Sequence, residues 1–188
     1  MRHNGFWILA SAILLAASVA PARANLITDP GFESCAGVTA PPPGWTRSSA
    51  NAYCGTGPHT GTYDATFAGA ASTLSQTITT IVGDNYDFSF WLWNDAGTPD
   101  FFTASFGSDQ VLDLLSPANF GYTQEDFAVT AVGTSTTIEF GGEANGNGWF
   151  LDDVSITDQG PAAPEPASLI LLASGLLATA WRFRRQRS

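Results

Sequence analysis

Through the middle of the chain, apolar residues alternate with polar ones, and the three-and-four spacing of an amphipathic helix is rare. Tyr86 to Trp93 is the clearest run: Tyr86, Phe88, Phe90 and Leu92 fall on one face, and Asp87, Ser89, Trp91 and Trp93 on the other. Similar alternation predicts strands over Thr62–Phe67, over Thr73–Ile81 with Leu74, Ile78 and Ile81 apolar, and over Phe102–Phe106. Glu125–Ala131, Thr136–Phe140 and Trp149–Ile156 complete the set, and Asp109–Leu115 reads as strand or turn. Gly83-Asp84-Asn85 reads as a turn, and Asn145-Gly146-Asn147-Gly148 as a flexible polar loop leading to Trp149. Seven to nine short strands with regular turns predict an all-β protein, an antiparallel β-sandwich.

Both ends break this pattern. Residues 1–24 have the form of an export signal: Arg2 and His3, an apolar stretch from Phe6 to Ala20, then Ala22-Arg23-Ala24. Cleavage between Ala24 and Asn25 is expected. The sandwich is expected over 25–158 and a short Pro/Ala linker over 159–163. Pro164-Glu165-Pro166 is stiff and extended, because each proline fixes its own φ and keeps the preceding residue out of the helical region. Ala167 to Trp181 then runs apolar through Leu169, Ile170, Leu171, Leu172, Gly175, Leu176 and Leu177. Arg182, Arg184, Arg185 and Arg187 follow. As a helix, the apolar run would be about 22 Å long, short for a hydrocarbon core of about 30 Å. Snorkelling arginines and Trp181 at the headgroup level extend it. The pattern predicts a single transmembrane helix with its basic end in the cytoplasm and the body outside.

Removing the ends alters the charge picture. Between Asn25 and Ala163, Arg47 is the one basic residue beside His59, against sixteen acids, a net charge of −15. Such a body repels phosphate and excludes nucleic acid as a partner. Its many aromatic and β-branched residues set it apart from an acidic disordered chain. Cys35 and Cys54 are the two cysteines, and in an exported domain a disulfide between them is expected. His59 reads as a loop histidine without a special role.

Pro-Glu-Pro, a short Leu/Ala/Gly stretch and an arginine-rich end closely resemble the PEP-CTERM sorting signal of Gram-negative bacteria. That resemblance implies export through the Sec pathway and transient anchoring in the inner membrane. It further implies recognition by exosortase and a final place at the cell surface or in the extracellular polysaccharide. The body resembles galactose-binding-like jelly rolls such as carbohydrate-binding modules of the CBM4/9 kind. The residues that carry this are Asn25 to Glu33, Pro43-Gly44-Trp45, His59-Thr60-Gly61, Leu74 to Ile78, Tyr86 to Trp91 and Trp149 to Ile156. The family often holds a structural Ca²⁺ between its first segment and its closing strand. Carried over, the ligands are Glu33 and Asp153, with Asp152, Asp29 and carbonyls near Gly31 and Gly61; calcium takes six to eight hard oxygens. The alternative is a solvated acidic edge.

Trp91 and Trp93 on the outer face, with Asp87, Asn94 and Trp149, are the candidate glycan-binding residues, since indoles stack on the C–H faces of sugars. The alternative is that Trp91 and Trp93 pack beneath a loop. Catalysis lacks a G-x-S-x-G or H-E-x-x-H motif. Asp152-Asp153 is a carboxylate pair, but neighbours in a regular strand point to opposite faces. The reading is a non-enzymatic exported protein that binds or organises extracellular polysaccharide. Its rivals are a structural or adhesive protein that binds other proteins, and a small glycan hydrolase.

Overall fold

The computed structural model describes residues 23–161. The signal segment up to residue 22 and the sorting segment from residue 162, with the helices expected there, lie outside the described residues. The rest is strand and turn: β1 (Thr46–Arg47), β2 (Ala52–Gly55), β3 (Asp64–Thr79), β4 (Asp84–Asp95), β5 (Phe101–Phe106), β6 (Asp109–Leu115), β7 (Phe120–Thr130) and β8 (Ser135–Pro161). All pairings are antiparallel.

Two long strands, β3 and β8, serve both layers of the sandwich. Residues 64–67 of β3 pair with β2 and with 149–151 of β8, whose outer edge continues to β4 and then β7. Residues 72–79 of β3 pair with 135–142 of β8, which is flanked by β5 and then β6, while β1 lies on the other side of β3. The front layer is therefore β2–β3–β8–β4–β7 and the back layer β1–β3–β8–β5–β6.

Two predicted strands and a predicted loop are thus one strand, β8. The glycines taken for a loop are needed for close approach where the strand passes between layers. A Cβ on Gly146 would lie 2.6 Å from the Ala96 carbonyl, and one on Gly148 would lie 2.8 Å from the Phe67 carbonyl. Similarly, Thr62–Phe67 and Thr73–Ile81 belong to one strand, interrupted by a register shift around Gly69. Ile81 falls past its end, in an exposed turn. β8 also runs to Pro161, so the expected linker begins as paired strand.

The core forms where the two inner faces meet. Phe140 of the back layer packs against Phe88 and Phe90 of the front layer, with ring centroids 5.8 and 5.1 Å apart, and against Phe102 and Trp45. The predicted inner face of β4 is buried as read. Trp149 is also fully buried, with its Nε1 donating to the Glu143 carbonyl at 3.2 Å. That corrects its assignment as a ligand-binding indole: it sits on the inner side of β8, one residue out of phase with the outer face. Asn94 is corrected for the same reason. It continues the inner face of β4, is fully buried, and accepts the Ala96 N–H at 2.8 Å. The disulfide Cys35–Cys54 is formed and ties the N-terminal segment to β2.

Candidate functional site

The outer side of the front layer carries a row of large side chains that crosses the strands. Tyr53 on β2 stands opposite Thr66 on β3, Thr66 opposite Phe150 on β8, and Phe150 opposite Trp93 on β4. Tyr122 on β7 extends the row, its ring 5.7 Å from that of Trp93. Directly opposed residues on one face lie within side-chain contact, which is why residues far apart in sequence make one platform. Trp93 and Phe150 stack at 4.6 Å with an interplanar angle of 28°.

This platform floors an open cleft of about 410 Å³, with Gly55, Thr56, Gly57, Asp95 and Asn147 among its walls. Asp95 is held by two amides, Asn147 Nδ2 at 2.6 Å and Asn119 Nδ2 at 2.9 Å. Asp64 lies buried below and accepts from the Thr66 hydroxyl at 2.6 Å and the Gly57 N–H at 2.7 Å. Burial pushes the Asp64 carboxyl above its usual range, with those two donors opposing. Gly55 has to be glycine here, because a Cβ would sit 2.7 Å from the Asp64 carboxylate.

Residues 56–62 cross the face beside the cleft and are pinned by carboxylates. Asp152 Oδ2 accepts the N–H groups of His59 and Thr60 at 2.8 and 3.0 Å. Asp153 accepts the Thr60 hydroxyl at 2.7 Å and meets His59 Nδ1 at 2.8 Å. Glu33 Oε1 accepts from the Thr62 and Tyr63 N–H groups at 2.7 and 3.1 Å. The Tyr122 hydroxyl donates to the Gly57 carbonyl at 2.8 Å. Asp152 is fully buried; desolvation pushes its carboxyl up to about 6 against the opposing amide donors. The Tyr122 hydroxyl is pushed up by burial and by the nearby Asp64, Asp152 and Asp153 carboxylates.

Asp152 and Asp153 thus converge on one loop, contrary to the expectation from strict alternation. The cause is a β-bulge. Trp91 pairs with Asp152 and Ser89 with Ser155, so Phe90 faces two residues, and Asp153 has φ of 48°.

The loop separates the two predicted tryptophans. His59 stacks on Trp91 at 3.8 Å and 12°, so Trp91 lies beneath the loop while Trp93 opens into the cleft. The histidine expected to have no role is therefore the cover of that indole. Asp87 lies farther down the same face in a second cleft of about 450 Å³, with Ser89, Asp126, Phe127, Ala128 and Thr157. Sequence reasoning missed Tyr53, Thr66, Tyr122, Asn147 and Phe150. The run Trp149-Phe150-Leu151 held a clue, since three consecutive apolar residues on a strand force at least one outward.

Of the expected calcium ligands, Glu33, Asp152 and Asp153 are brought together beside Gly31. A Cβ there would lie 3.5 Å from Asp153 Oδ1, 3.7 Å from Asp152 Oδ1 and 3.9 Å from Glu33 Cγ. Asp29 holds the adjoining turn, accepting the Ser34 N–H at 3.0 Å, while its other oxygen is buried without a partner. Hard carboxylate oxygens and a glycine-lined space suit calcium in chemistry. Amide groups already occupy one oxygen of Glu33 and both of Asp152, and the described residues form no closed cage of three such ligands.

Residues 162–185 match the model of the PEP-CTERM protein-sorting motif. The chain carries a PEP-CTERM signal. It marks an exported protein with a C-terminal membrane-anchoring sorting segment. No curated protein matches the chain. Among solved structures, the body is similar to TmCBM61, determined in complex with β-1,4-galactotriose. The identity is 20%, the TM-score is 0.55, and the match covers 72% of this chain and 99% of that one. It is also similar to the CBM22-1 xylan-binding domain from Paenibacillus barcinonensis Xyn10C, at 13% identity, TM-score 0.52, and 77% and 100% coverage. A third is the K3 cleaved adhesin domain of Lys-gingipain from Porphyromonas gingivalis w83, at 14% identity, TM-score 0.53, and 72% and 99% coverage. At these identities the likeness shows the fold alone: the body is an antiparallel β-sandwich of the jelly-roll kind.

Proposed function

We propose that this PEP-CTERM protein is a non-catalytic, exported surface protein whose front face binds an extracellular polysaccharide, and that exosortase sorts it. The observation that carries the reading is the aromatic row Tyr53, Phe150 and Trp93 in an open cleft edged by Asp95, Asn147 and Thr66. Flat rings offer the apolar faces of pyranoses a stacking surface, and the polar edge matches their hydroxyls. Two of the similar solved structures are named for a galactotriose complex and a xylan-binding domain, which favours this ligand class. The non-catalytic part is supported by the likeness to structures named as carbohydrate-binding modules.

A glycan-array screen of the purified, oxidised protein tests this. Binding to a defined glycan, lost in a folded Trp93→Ala variant, is the expected result. A folded protein that binds no glycan, or a variant that binds as well as the parent, would overturn it and favour a protein-binding surface role.

We also infer a structural Ca²⁺ held by Glu33 and Asp153, with Asp152 and Asp29 near it. Its presence would offset the carboxylate charge that pins residues 56–62. Addition of calcium should raise the melting temperature, and Glu33→Gln should abolish the rise; an unchanged melting temperature in the parent sinks the idea.

A further inference from the structure

At one end of the sandwich two adjoining turns are apolar and uncharged, with the exposed Asp109 of the β5–β6 turn and the half-exposed Asp158 near them, and the chain leaves for its sorting segment from that same end. The turn after β3 carries Ile81 and Val82, each 58% exposed, and the turn after β7 carries Val132, 76% exposed. The two turns are bonded side by side. The Thr80 N–H donates to the Thr134 carbonyl at 3.1 Å and the Gly83 N–H to the Ala131 carbonyl at 2.8 Å. The Thr80 hydroxyl reaches the Gly133 carbonyl at 2.8 Å. Single exposed aliphatic residues are ordinary on protein surfaces, but adjoining ones on uncharged turns form a patch. Residues 80–83 and 131–135 contain no charged side chain, in a body that carries sixteen acids. The first acid beyond them, Asp84, is buried at the start of β4.

Pro161 pairs with Asp84, so β8 ends beside these turns. The apolar run begins at Ala167, six residues after Pro161 (167 − 161). Even fully extended, that link spans only about 20 Å. While the sorting segment is in the bilayer, the tip is held within that distance of the membrane surface.

We propose that Ile81, Val82 and Val132 form a membrane-facing tip that inserts into the headgroup–acyl boundary while the protein is anchored. The occupant is a lipid bilayer. The two turns carry no basic side chain to grip anionic headgroups, so their contact is apolar and insensitive to salt. Docking this end places the strands upright on the membrane, and the opposite end of the sandwich, at Leu115, points away. The inference depends on the anchor and is independent of glycan binding.

Full-length protein with its sorting segment, reconstituted in phosphatidylethanolamine–phosphatidylglycerol vesicles, provides the test. Spin labels at Val132→Cys and, separately, at Leu115→Cys report oxygen and nickel-chelate accessibility; Leu115 is 80% exposed at the far end. The expected result is a Val132 label that is oxygen-accessible and chelate-excluded, with a Leu115 label as in water. A second change, Val82→Asp, should return the Val132 label to aqueous values without altering the melting temperature. Aqueous accessibility at both sites would overturn the proposal. Exclusion of both reagents at Val132 would overturn it too, because protein rather than lipid would then cover the tip.

Discussion

The two outer faces of the sandwich share their two longest strands, yet they differ in kind. On the back layer β3 and β8 point Thr73, Ser75, Thr77, Thr137 and Glu139 outward, and β5 adds Thr103 and Ser105 with a single ring, Phe101, at its end. The hydroxyls among them find partners close by: those of Thr77 and Thr137 meet at 2.9 Å, and those of Thr103 and Ser105 donate to β8 carbonyls at 3.4 Å. On the front layer the outward positions hold Tyr53, Phe150, Trp93 and Trp91, with Tyr122 alongside. Large rings left at a surface carry an apolar cost that a bound partner or a covering loop removes. Trp91 has its cover in His59; Trp93 and Phe150 have an open cleft. The contrast teaches that the pleat assigns inside and outside equally on both layers, and the size of the outward side chains decides which layer can hold a ligand.

The largest disturbance should come from removing the disulfide. It closes a loop over a separation of 19 residues, and Cys35→Ser with Cys54→Ser should lower stability by about 3 kcal/mol in denaturant titrations. Because the bond anchors β2, the front cleft should lose its Tyr53 wall while the back face is unchanged. Trp93→Ala should weaken glycan binding by about 2 kcal/mol, roughly 30-fold, measured by calorimetry. Thr77→Ala on the back face is the matched control, with an effect below about 0.5 kcal/mol.

Acidity separates the faces further. Burial lifts Asp152 to about 6 and raises Asp64, Asp100 and Glu125. A folded carboxyl with a raised pKa binds its proton more tightly than the unfolded chain does. In calcium-free buffer, stability should therefore fall as pH rises from about 4 to about 6 and stay lower above that. The melting temperature should be higher near pH 5 than near pH 7.5 by about 5 °C, and Asp152→Asn should flatten that slope. A profile that rises with pH would contradict the assignment. A smaller change at the cleft is Gly57→Ala. Its Cβ would come within 3.2 Å of the Phe150 ring and 3.7 Å of Trp93, narrowing the cleft, so affinity should fall about threefold with little loss of stability.

Much of this was legible from residue order. Alternation along Tyr86–Leu92 named four residues of the core, the compartment named the Cys35–Cys54 bond, and the C-terminal stretch named the sorting motif. Less was legible at the site. Asn94 and Trp149 were assigned to the ligand and proved to be buried, because alternation itself puts Asn94 in phase with Leu92 and Trp149 in phase with Leu151, on the inner faces. The bulge at Asp153 turned neighbouring carboxylates towards one loop, an outcome that strict period-two counting forbids.

What the sequence determined by itself is everything set by local chemistry: the strand period, the acidity of the body, the paired cysteines and the sorting motif. Only the tertiary structure decided that Tyr53, Phe150 and Trp93 share a cleft, that His59 covers Trp91, and that Ile81, Val82 and Val132 stand beside the chain's exit. Those neighbours are set by cross-strand register between segments up to about a hundred residues apart, and register is fixed by how the whole core packs rather than by any one strand.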